Sequence, residues 1–292
     1  MLKNRFGKGR QGIARRFTHL AMLLLALLPG VSLAADPYSD MRLALGDYAS
    51  QDNINWIINL RESALIPTFA ILFGLFILAT VGHYFIYGPK DHRITNPENT
   101  VMWWSLFERV MHAIVAISFT ILLLSGLMIT FGQTLSTAKY GVYMRQAHEL
   151  SGYVFAPFFI IMALKWIGEA IPKAYDMEWF KHLGGYMGYK GHLTSGKFNG
   201  GQKVWYWIMF LAGIVLVLTG FGQVFGIGGI KAARLYVALH LYASIPIILM
   251  FVVHTYMATA ANRGAFSSMI NGLVNKDSMK EHHSESSVFK KA

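Results

Sequence analysis

The chain has 292 residues, of which 54% are hydrophobic and only 14% are charged, and its mean hydropathy is +0.40. This balance excludes an ordinary soluble domain and, with several long apolar runs, predicts a polytopic membrane protein. The absence of cysteine excludes disulfides, cysteine-ligated iron–sulfur clusters and covalent c-type haem attachment. The net charge is +11, and the basic residues lie mostly at the start of the chain and in loops between apolar runs. The positive-inside rule of membrane proteins explains this distribution without a nucleic-acid partner.

Residues 1–35 have the composition of a secretory signal peptide. A basic start is followed by a short apolar core at 20–28, a Pro-Gly pair and small residues that end at Ala35. The core is too short to span a bilayer comfortably, and an uncleaved anchor is the alternative interpretation. Residues 36–63 are polar and mixed, with a short amphipathic piece at 56–60, and we expect them to form a periplasmic segment.

Five apolar segments follow, each long enough for a hydrocarbon core of about 30 Å. Lysine and arginine are more frequent at 88–105, 172–203 and 260–292 than in the segments on the other side of the membrane. The positive-inside rule therefore places these three segments, and with them the C-terminus, in the cytoplasm. The predicted spans are 64–87, 106–131, 149–171, 204–225 and 233–259.

The last span carries a histidine near each end, His240 and His254. Fourteen residues of α-helix correspond to about 21 Å along the axis and about 40° of rotation, so both imidazoles share one face. Ionisable side chains inside a bilayer are costly and mark functional sites. Predicted depth pairs His254 with His112 near the inner surface, and His240 with His148 near the outer surface. Two bis-histidine sites at different depths predict a dihaem b-type cytochrome that transfers electrons.

Two of these histidines follow the same arginine spacing, Arg109-x-x-His112 and Arg145-x-x-His148. Residues at i and i+3 share a helix face, and arginine pairs bidentately with carboxylates. Arg109 and Arg145 are therefore predicted to bind haem propionates. Gly126 lies fourteen residues after His112 and leaves room for a flat ring, although ordinary helix packing explains it equally well.

Beyond residue 36, the other histidines find no partner at matching depth. His83, at the inner end of the first span, is predicted to be interfacial. The histidines of the polar segments are predicted to be solvated, namely His92, His182, His192, His282 and His283.

The polar segment before the fourth span reads Lys197-Phe-Asn-Gly-Gly-Gln-Lys203. In one interpretation it is only a turn ahead of a helix, which composition alone favours. In the other, the amides of Asn199 and Gln202 lie at the inner surface with His254. They would then form a site for a quinone, whose carbonyl they hydrogen-bond beside the inner haem.

Together these motifs resemble the cytochrome b (gamma) subunit of membrane-bound formate dehydrogenase. The resemblance covers about residues 103–275 and rests on R-V-M-H, R-Q-A-H-E-L-S-G, K-F-N-G-G-Q-K and the H-L-Y-A and H-T-Y-M-A of the last span. It implies a four-helix core at 106–260 in which the two histidine pairs hold two haem b groups. It also implies a menaquinone or ubiquinone site at the N-G-G-Q loop and His254. The implied partners are an iron–sulfur beta subunit and a molybdopterin catalytic alpha subunit outside the membrane.

The sequence thus predicts an all-α polytopic protein of the bacterial inner membrane. A four-helix dihaem cytochrome b bundle is joined by one additional N-terminal helix at 64–87, a cytoplasmic linker at 88–105 and a cytoplasmic tail at 261–292. Electrons are expected to pass from the outer to the inner haem and then to quinone. The chain alone is not expected to be a dehydrogenase, because the sequence indicates no substrate-oxidising centre. Related dihaem cytochromes serve nickel–iron hydrogenases and thiosulfate reductases, which are alternative donor complexes. A transporter or channel is a more remote alternative, for which Lys165 and Glu169 are the features to cite.

Overall fold

The computed structural model describes residues 51–132 and 140–290, and the predicted signal peptide lies outside the described residues. Within this part of the chain the fold is helical apart from two short strand pairs, and five helices are long and apolar enough to cross a membrane. Helices suit such segments because they satisfy their backbone polar groups internally, which a hydrocarbon layer requires. The predicted all-α, polytopic membrane fold is therefore confirmed. The helices are α1 (Gln51–Leu60), α2 (Ile66–Tyr87), α3 (Leu106–Thr130), α4 (Gly141–Ala170), α5 (Ala174–Lys181), α6 (Gly200–Val224), α7 (Gly229–Tyr256), α8 (Ala265–Asn271), α9 (Lys276–His282) and α10 (Ser287–Lys290).

The described residues divide into two compact units by their internal contacts. One unit contains 124–148, and the other contains 51–123 together with 149–290. Helices α3 and α4 each contribute residues to both units.

The additional N-terminal helix is longer than its predicted span of 64–87. Helix α1 continues into α2 through a π-helical turn, Arg61–Leu65, so the apolar helix runs over Asn55–Tyr87. Pro67 lies in the first turn of α2 and has no N–H to donate to the preceding turn, which accounts for the widened hydrogen bonding there. The charges of Arg61 and Glu62 interrupt the apolar pattern without interrupting the helix.

The third and fourth spans also begin earlier than their hydropathy indicates. Helix α4 starts at Gly141 rather than at 149, and α6 starts at Gly200 rather than at 204. In both helices the first turns are polar, so a hydropathy pattern assigns them to the preceding loop. These extra turns carry residues predicted to act at the membrane surfaces.

The predicted cytoplasmic linker and tail are folded against each other. Strand β1 (Lys90–Asp91) pairs in parallel with β3 (Asn262–Arg263), and β2 (Thr100–Met102) pairs antiparallel with β4 (Leu273–Asn275). The chain from 261 onward is therefore tied by backbone hydrogen bonds to the segment that precedes α3.

An aromatic cluster lies where these segments meet the helix ends. Trp104 is buried and its indole N–H donates to the Ser268 hydroxyl at 3.2 Å. Burial of such large rings removes much apolar surface from water and stabilises the fold. The buried members of the cluster are Trp103, Trp104, Trp166, Ala170, Phe198 and Tyr206.

A second buried cluster occupies the middle of the helices. Val115 and Phe119 follow His112 by about one and two turns, and Ile247 lies midway between His240 and His254 in sequence. Phe119 contacts other aromatic rings, with a centroid separation of 5.1 Å to Phe251. An apolar core thus separates the two depths at which the intramembrane histidines were predicted.

Candidate functional site

The structure brings together the two histidines that predicted depth paired near the inner surface. His112, in the second turn of α3, and His254, near the end of α7, have ring centroids 6.3 Å apart and ring planes at 49°. Two imidazole nitrogens, each about 2 Å from a metal between them, put their ring centroids about 6 Å apart. The observed separation therefore matches one intervening metal ion.

This pair suits a metal that brings most of its own ligands. Among the residues that the structure describes, no group of three or more His, Cys, Asp and Glu side chains could hold a metal ion. Two neutral imidazoles on opposite sides are what the iron of a haem takes as axial ligands. The donor set and spacing of His112 and His254 fit haem b.

Aromatic rings line the inner pair. Trp205 stacks on His254 with a centroid distance of 4.9 Å and an interplanar angle of 16°, which restrains the plane of that imidazole. Trp166 lies 6.4 Å from the ring of His112. Both indoles form flat apolar walls beside the histidines.

His240, on the fourth turn of α7, has a hydroxyl partner on the neighbouring helix. Its Nδ1 lies 2.9 Å from Oγ1 of Thr219 on α6. The next residue of α6 is Gly220, where a Cβ atom would lie 3.6 Å from Cε1 of the same imidazole. The imidazole of His240 is therefore held by a polar contact on Nδ1 and by backbone next to Cε1.

His148 has the same kind of setting in the other compact unit. Its Nδ1 lies 2.9 Å from the Ser125 hydroxyl oxygen. A Cβ atom on Gly126 would lie 3.1 Å from Cε1 of His148, which is closer than ordinary packing allows. The ring that Gly126 accommodates in this structure is the imidazole of His148, which the sequence pattern did not indicate.

The two arginines differ in what the structure shows around them. One terminal nitrogen of Arg109 donates to the Ile270 carbonyl, while its Nε is buried and has no hydrogen-bond partner among the described residues. A buried guanidinium N–H without an acceptor is unfavourable, so this atom fits a carboxylate that belongs to a bound group. Arg145 is half-buried on α4, one turn before His148.

The N-G-G-Q motif forms the N-terminal cap of α6. The Asn199 side-chain oxygen accepts from the Gln202 backbone N–H at 3.0 Å, and the Gln202 side-chain oxygen accepts from the Asn199 backbone N–H at 2.9 Å. This reciprocal capping box is the turn that composition favours. Both amide oxygens are engaged in it, so the two side-chain NH₂ groups are the donors with which these residues could bind a quinone carbonyl.

Both lysines of the same motif form ion pairs, one buried at Lys203 and one partly buried at Lys197. Lys197 Nζ lies 2.6 Å from Glu108 Oε1, and Lys203 Nζ lies 2.7 Å from Asp176 Oδ2. Glu108 also accepts from the Trp166 indole N–H at 3.0 Å. The sequence does not indicate these contacts, because the carboxylates are distant from the lysines in the chain. They fix the loop relative to α3 and α5.

His83 has partners that the sequence did not indicate. Its Nε2 lies 3.0 Å from the Tyr186 carbonyl oxygen, and its Nδ1 lies 2.5 Å from the Tyr256 hydroxyl. A carbonyl only accepts, so Nε2–H donates to it and the Tyr256 hydroxyl donates to Nδ1. Helix α2 is thus connected to α7 two residues after His254.

The prediction that His283 is solvated is wrong. Its side chain is buried, and its Nδ1–H donates to the Gly196 carbonyl at 2.6 Å. Burial lowers the pKa of His283 to about 4, because the charged form loses its hydration. His92 is also largely shielded and hydrogen-bonded to the Ser278 hydroxyl, and burial lowers its pKa. His192 is exposed, as expected.

Known proteins similar to this chain are cytochromes. A family model described as prokaryotic cytochrome b561 matches residues 103–272, a range that contains every predicted site residue and leaves α1 and α2 outside. The cytochrome b556(Fdn) subunit of the nitrate-inducible formate dehydrogenase of Escherichia coli K12 is 28% identical over 191 residues, which cover 60% of this chain and 85% of that protein.

Two further relatives carry similar names. The formate dehydrogenase cytochrome b556(fdo) subunit of Escherichia coli K12 is 26% identical over 198 residues, covering 63% of this chain and 90% of its own length. The formate dehydrogenase cytochrome b556 subunit of Haemophilus influenzae is 26% identical over 190 residues, covering 60% and 77%. The resemblance inferred from the motifs is therefore confirmed.

Proposed function

Because this chain belongs to the prokaryotic cytochrome b561 family, we propose that it is the membrane-anchoring, electron-carrying cytochrome b subunit of a formate dehydrogenase. The names of its relatives support formate as the electron source. The observation that carries the proposal is the pairing of His112 with His254 at a centroid distance of 6.3 Å. These side chains are the protein's contribution to one haem b site at the predicted inner surface.

A second haem site is proposed for His148 and His240. This assignment rests on their predicted depth and on the hydroxyl contact that each makes through Nδ1. With His148 and His240 as its protein ligands, haem b would supply one-electron transfer at this site. Arg109 and Arg145 would each bind a propionate one turn before a ligand histidine.

The chain's own residues would keep these sites dry and apart. Val115, Phe119 and Ile247 are buried between the two depths, so water is excluded from the middle of the helices. Without water the local dielectric constant is low, so an isolated charge between the two depths is unfavourable.

Quinone reduction is proposed at the cap of α6. Reduction of a quinone to a quinol takes up two electrons and two protons, and the predicted orientation draws the protons from the cytoplasm. The side-chain NH₂ groups of Asn199 and Gln202 would donate hydrogen bonds to a quinone carbonyl, and His254 would border the same site. The ion pairs of Lys197 and Lys203 hold this cap in place.

The proposed partners are an iron–sulfur beta subunit and a molybdopterin catalytic alpha subunit in the periplasm. The positive-inside bias supports an inner-membrane location with a cytoplasmic C-terminus. In this arrangement formate is oxidised outside and quinone is reduced at the inner surface, so turnover would generate a proton-motive force.

The proposal is tested on the complex purified from membranes that express this chain. A reduced-minus-oxidised spectrum should show two b haems per chain, and formate should reduce both. Replacement of His112 or His254 by Ala should remove one haem, whereas His83→Gln should retain both. A colourless complex, or one in which His254→Ala keeps two unchanged haems, would contradict the proposal.

A further inference from the structure

The hydroxyl of Thr219 has a defined hydrogen-bonding direction. Its Oγ1 lies 2.6 Å from the Val215 carbonyl oxygen and 3.3 Å from that of Leu216, both within α6. Carbonyl oxygens only accept, and a threonine hydroxyl has one proton, so that proton points back into its own helix. Such a back-bond is ordinary for a threonine in an apolar helix.

The second contact of that hydroxyl is less ordinary, because it comes from another helix. Nδ1 of His240 lies 2.9 Å from Oγ1 of Thr219. Since the hydroxyl proton is used by Val215, the oxygen presents a lone pair to His240, and the bond forms only if Nδ1 carries a proton. A neutral imidazole protonated at Nδ1 has its lone pair on Nε2. The contact therefore selects Nε2 as the nitrogen with which His240 binds a metal.

The other compact unit repeats the contact between a hydroxyl and Nδ1 of a histidine. Ser125 places its hydroxyl oxygen 2.9 Å from Nδ1 of His148. In both places the hydroxyl residue is followed by a glycine that lies next to Cε1 of the same imidazole. An added Cβ would lie 3.1 Å from this atom at Gly126, which is tight, and 3.6 Å from it at Gly220, which is an ordinary contact.

The histidines of the inner site lack this feature. Within residues 51–132 and 140–290, the structure has no hydrogen bond to a ring nitrogen of His112 or His254. A hydrogen bond from the remote N–H of a ligand imidazole orients the ring and makes the ligating nitrogen more basic. A more basic ligand stabilises the oxidised iron and lowers its reduction potential. Of the four proposed ligand histidines, only His148 and His240 thus have a hydroxyl from the described residues on the remote ring nitrogen.

We propose that Thr219 is a positioning residue that fixes the tautomer and orientation of His240 as a haem ligand, and that Ser125 orients His148 through the same ring nitrogen. This inference rests on the proposed function. Its consequence is a lower potential at the outer haem than its ligands alone would give. This lowering favours the movement of electrons that enter from the periplasmic side towards the site at His112 and His254.

The experiment compares variants of Thr219 in the purified complex by haem content and by redox titration of each haem. Thr219→Val keeps the shape and removes the hydroxyl, and it should raise the potential of one haem or reduce its affinity about 10- to 100-fold. Thr219→Ser keeps the hydroxyl and should restore the wild-type potential. Thr120 makes the same back-bond, to the Ala116 carbonyl at 2.7 Å, without a histidine, so Thr120→Val is the matched control and should change neither haem.

A Thr219→Val complex with wild-type haem content and potentials, or with a lowered potential, would overturn the inference. If that variant does not assemble, Ser125→Ala supplies an independent test with the same expected rise and the same contrary outcomes. His240→Ala distinguishes a failure of the proposed function from a failure of this inference. Retention of both haems in His240→Ala contradicts the ligand assignment in the proposed function. Loss of one haem there, with Thr219→Val unchanged, contradicts only the role of Thr219.

Discussion

Lys203 and Asp176 form a buried ion pair between α6 and α5, with side chains only 5% and 3% exposed and a separation of 2.7 Å. The same carboxylate oxygen accepts from the Lys173 backbone N–H at 2.6 Å, at the N-cap of α5. The ring of Tyr175 lies 4.9 Å from the lysine nitrogen. The last lysine of the K-F-N-G-G-Q-K motif is thus a fixed charge within a polar network. It connects the first turn of α6 to a carboxylate 27 residues earlier in the chain.

Lys203→Met should destabilise the protein strongly. Removal of one partner leaves the Asp176 carboxylate buried and unpaired, which typically costs about 3–5 kcal/mol. Thermal melting of the detergent-solubilised complex measures the loss. The double variant Lys203→Met/Asp176→Asn should recover much of it, because both charges are then gone and the Asn oxygen keeps an acceptor for the Lys173 N–H.

The exposed pair of Lys181 with Glu178 is the control for this prediction. Lys181→Met should leave the melting temperature unchanged, because solvent screens that pair. Equal losses in the Lys203 and Lys181 variants would show that charge burial is not the cause.

Variants of Asn199 separate the capping role from the proposed quinone contact. Asn199→Ala removes the capping oxygen and should cost about 0.5–2 kcal/mol of stability. Asn199→Asp keeps a capping oxygen, and its charge suits a helix N-terminus, so stability should be preserved. It lacks the NH₂ donor, however, so the KM for quinone should rise. Melting temperature and formate-to-quinone turnover are measured on the same preparations; wild-type kinetics in Asn199→Asp would limit this residue to capping.

The features that depend on helical periodicity and membrane depth could be predicted from the sequence. The spacing of His240 and His254 put both on one face, and the predicted topology paired His254 with His112, which the structure places 6.3 Å apart by ring centroid. These inferences need only helix geometry and a bilayer of known thickness. The five apolar helices followed from the same reasoning.

The contacts that sequence could not supply join residues from distant parts of the chain. Glu108 and Lys197 are 89 residues apart, and nothing in either neighbourhood indicates the other. The polar neighbours of His283 predict a solvated side chain, yet it is buried against Gly196. No sequence pattern distinguishes Thr219 from other small polar residues of apolar helices. These contacts depend on the tertiary arrangement of segments that carry no periodic signal.

His283 should make the folded state sensitive to acid. Its pKa falls from 6.5 to about 4 on folding, first because of burial and then because of the neighbouring His282 and His92, while the hydrogen bond to Gly196 opposes the shift. Between these two values the unfolded chain binds the proton more readily than the folded chain. The contribution of His283 to the free energy of unfolding is therefore fully present above about pH 6.5. It decreases as the pH falls towards 4 and does not decrease further below that pH.

Melting temperature as a function of pH measures this effect. His283→Gln keeps a side-chain N–H donor for Gly196 and cannot be protonated, so its profile should be flatter than that of the wild type between pH 6.5 and 4. A residual slope is expected from His92, whose pKa burial also lowers. His192→Gln, at an exposed position, should follow the wild-type profile. Identical slopes in the wild type and His283→Gln would show that His283 remains accessible to protons.

Gly126→Ala should perturb the outer haem and spare the inner one. The added Cβ would lie 3.1 Å from Cε1 of His148, so the imidazole must shift by a few tenths of an ångström against its bond to Ser125. Displacement of a ligand ring weakens metal binding, and we expect reduced occupancy or an altered absorption band for one haem of two. Gly168→Ala on α4, where no atom lies within 4 Å of the new Cβ, is the control and should leave both haems unchanged. Loss of the inner haem in Gly126→Ala would contradict the assignment of His148 to the outer site.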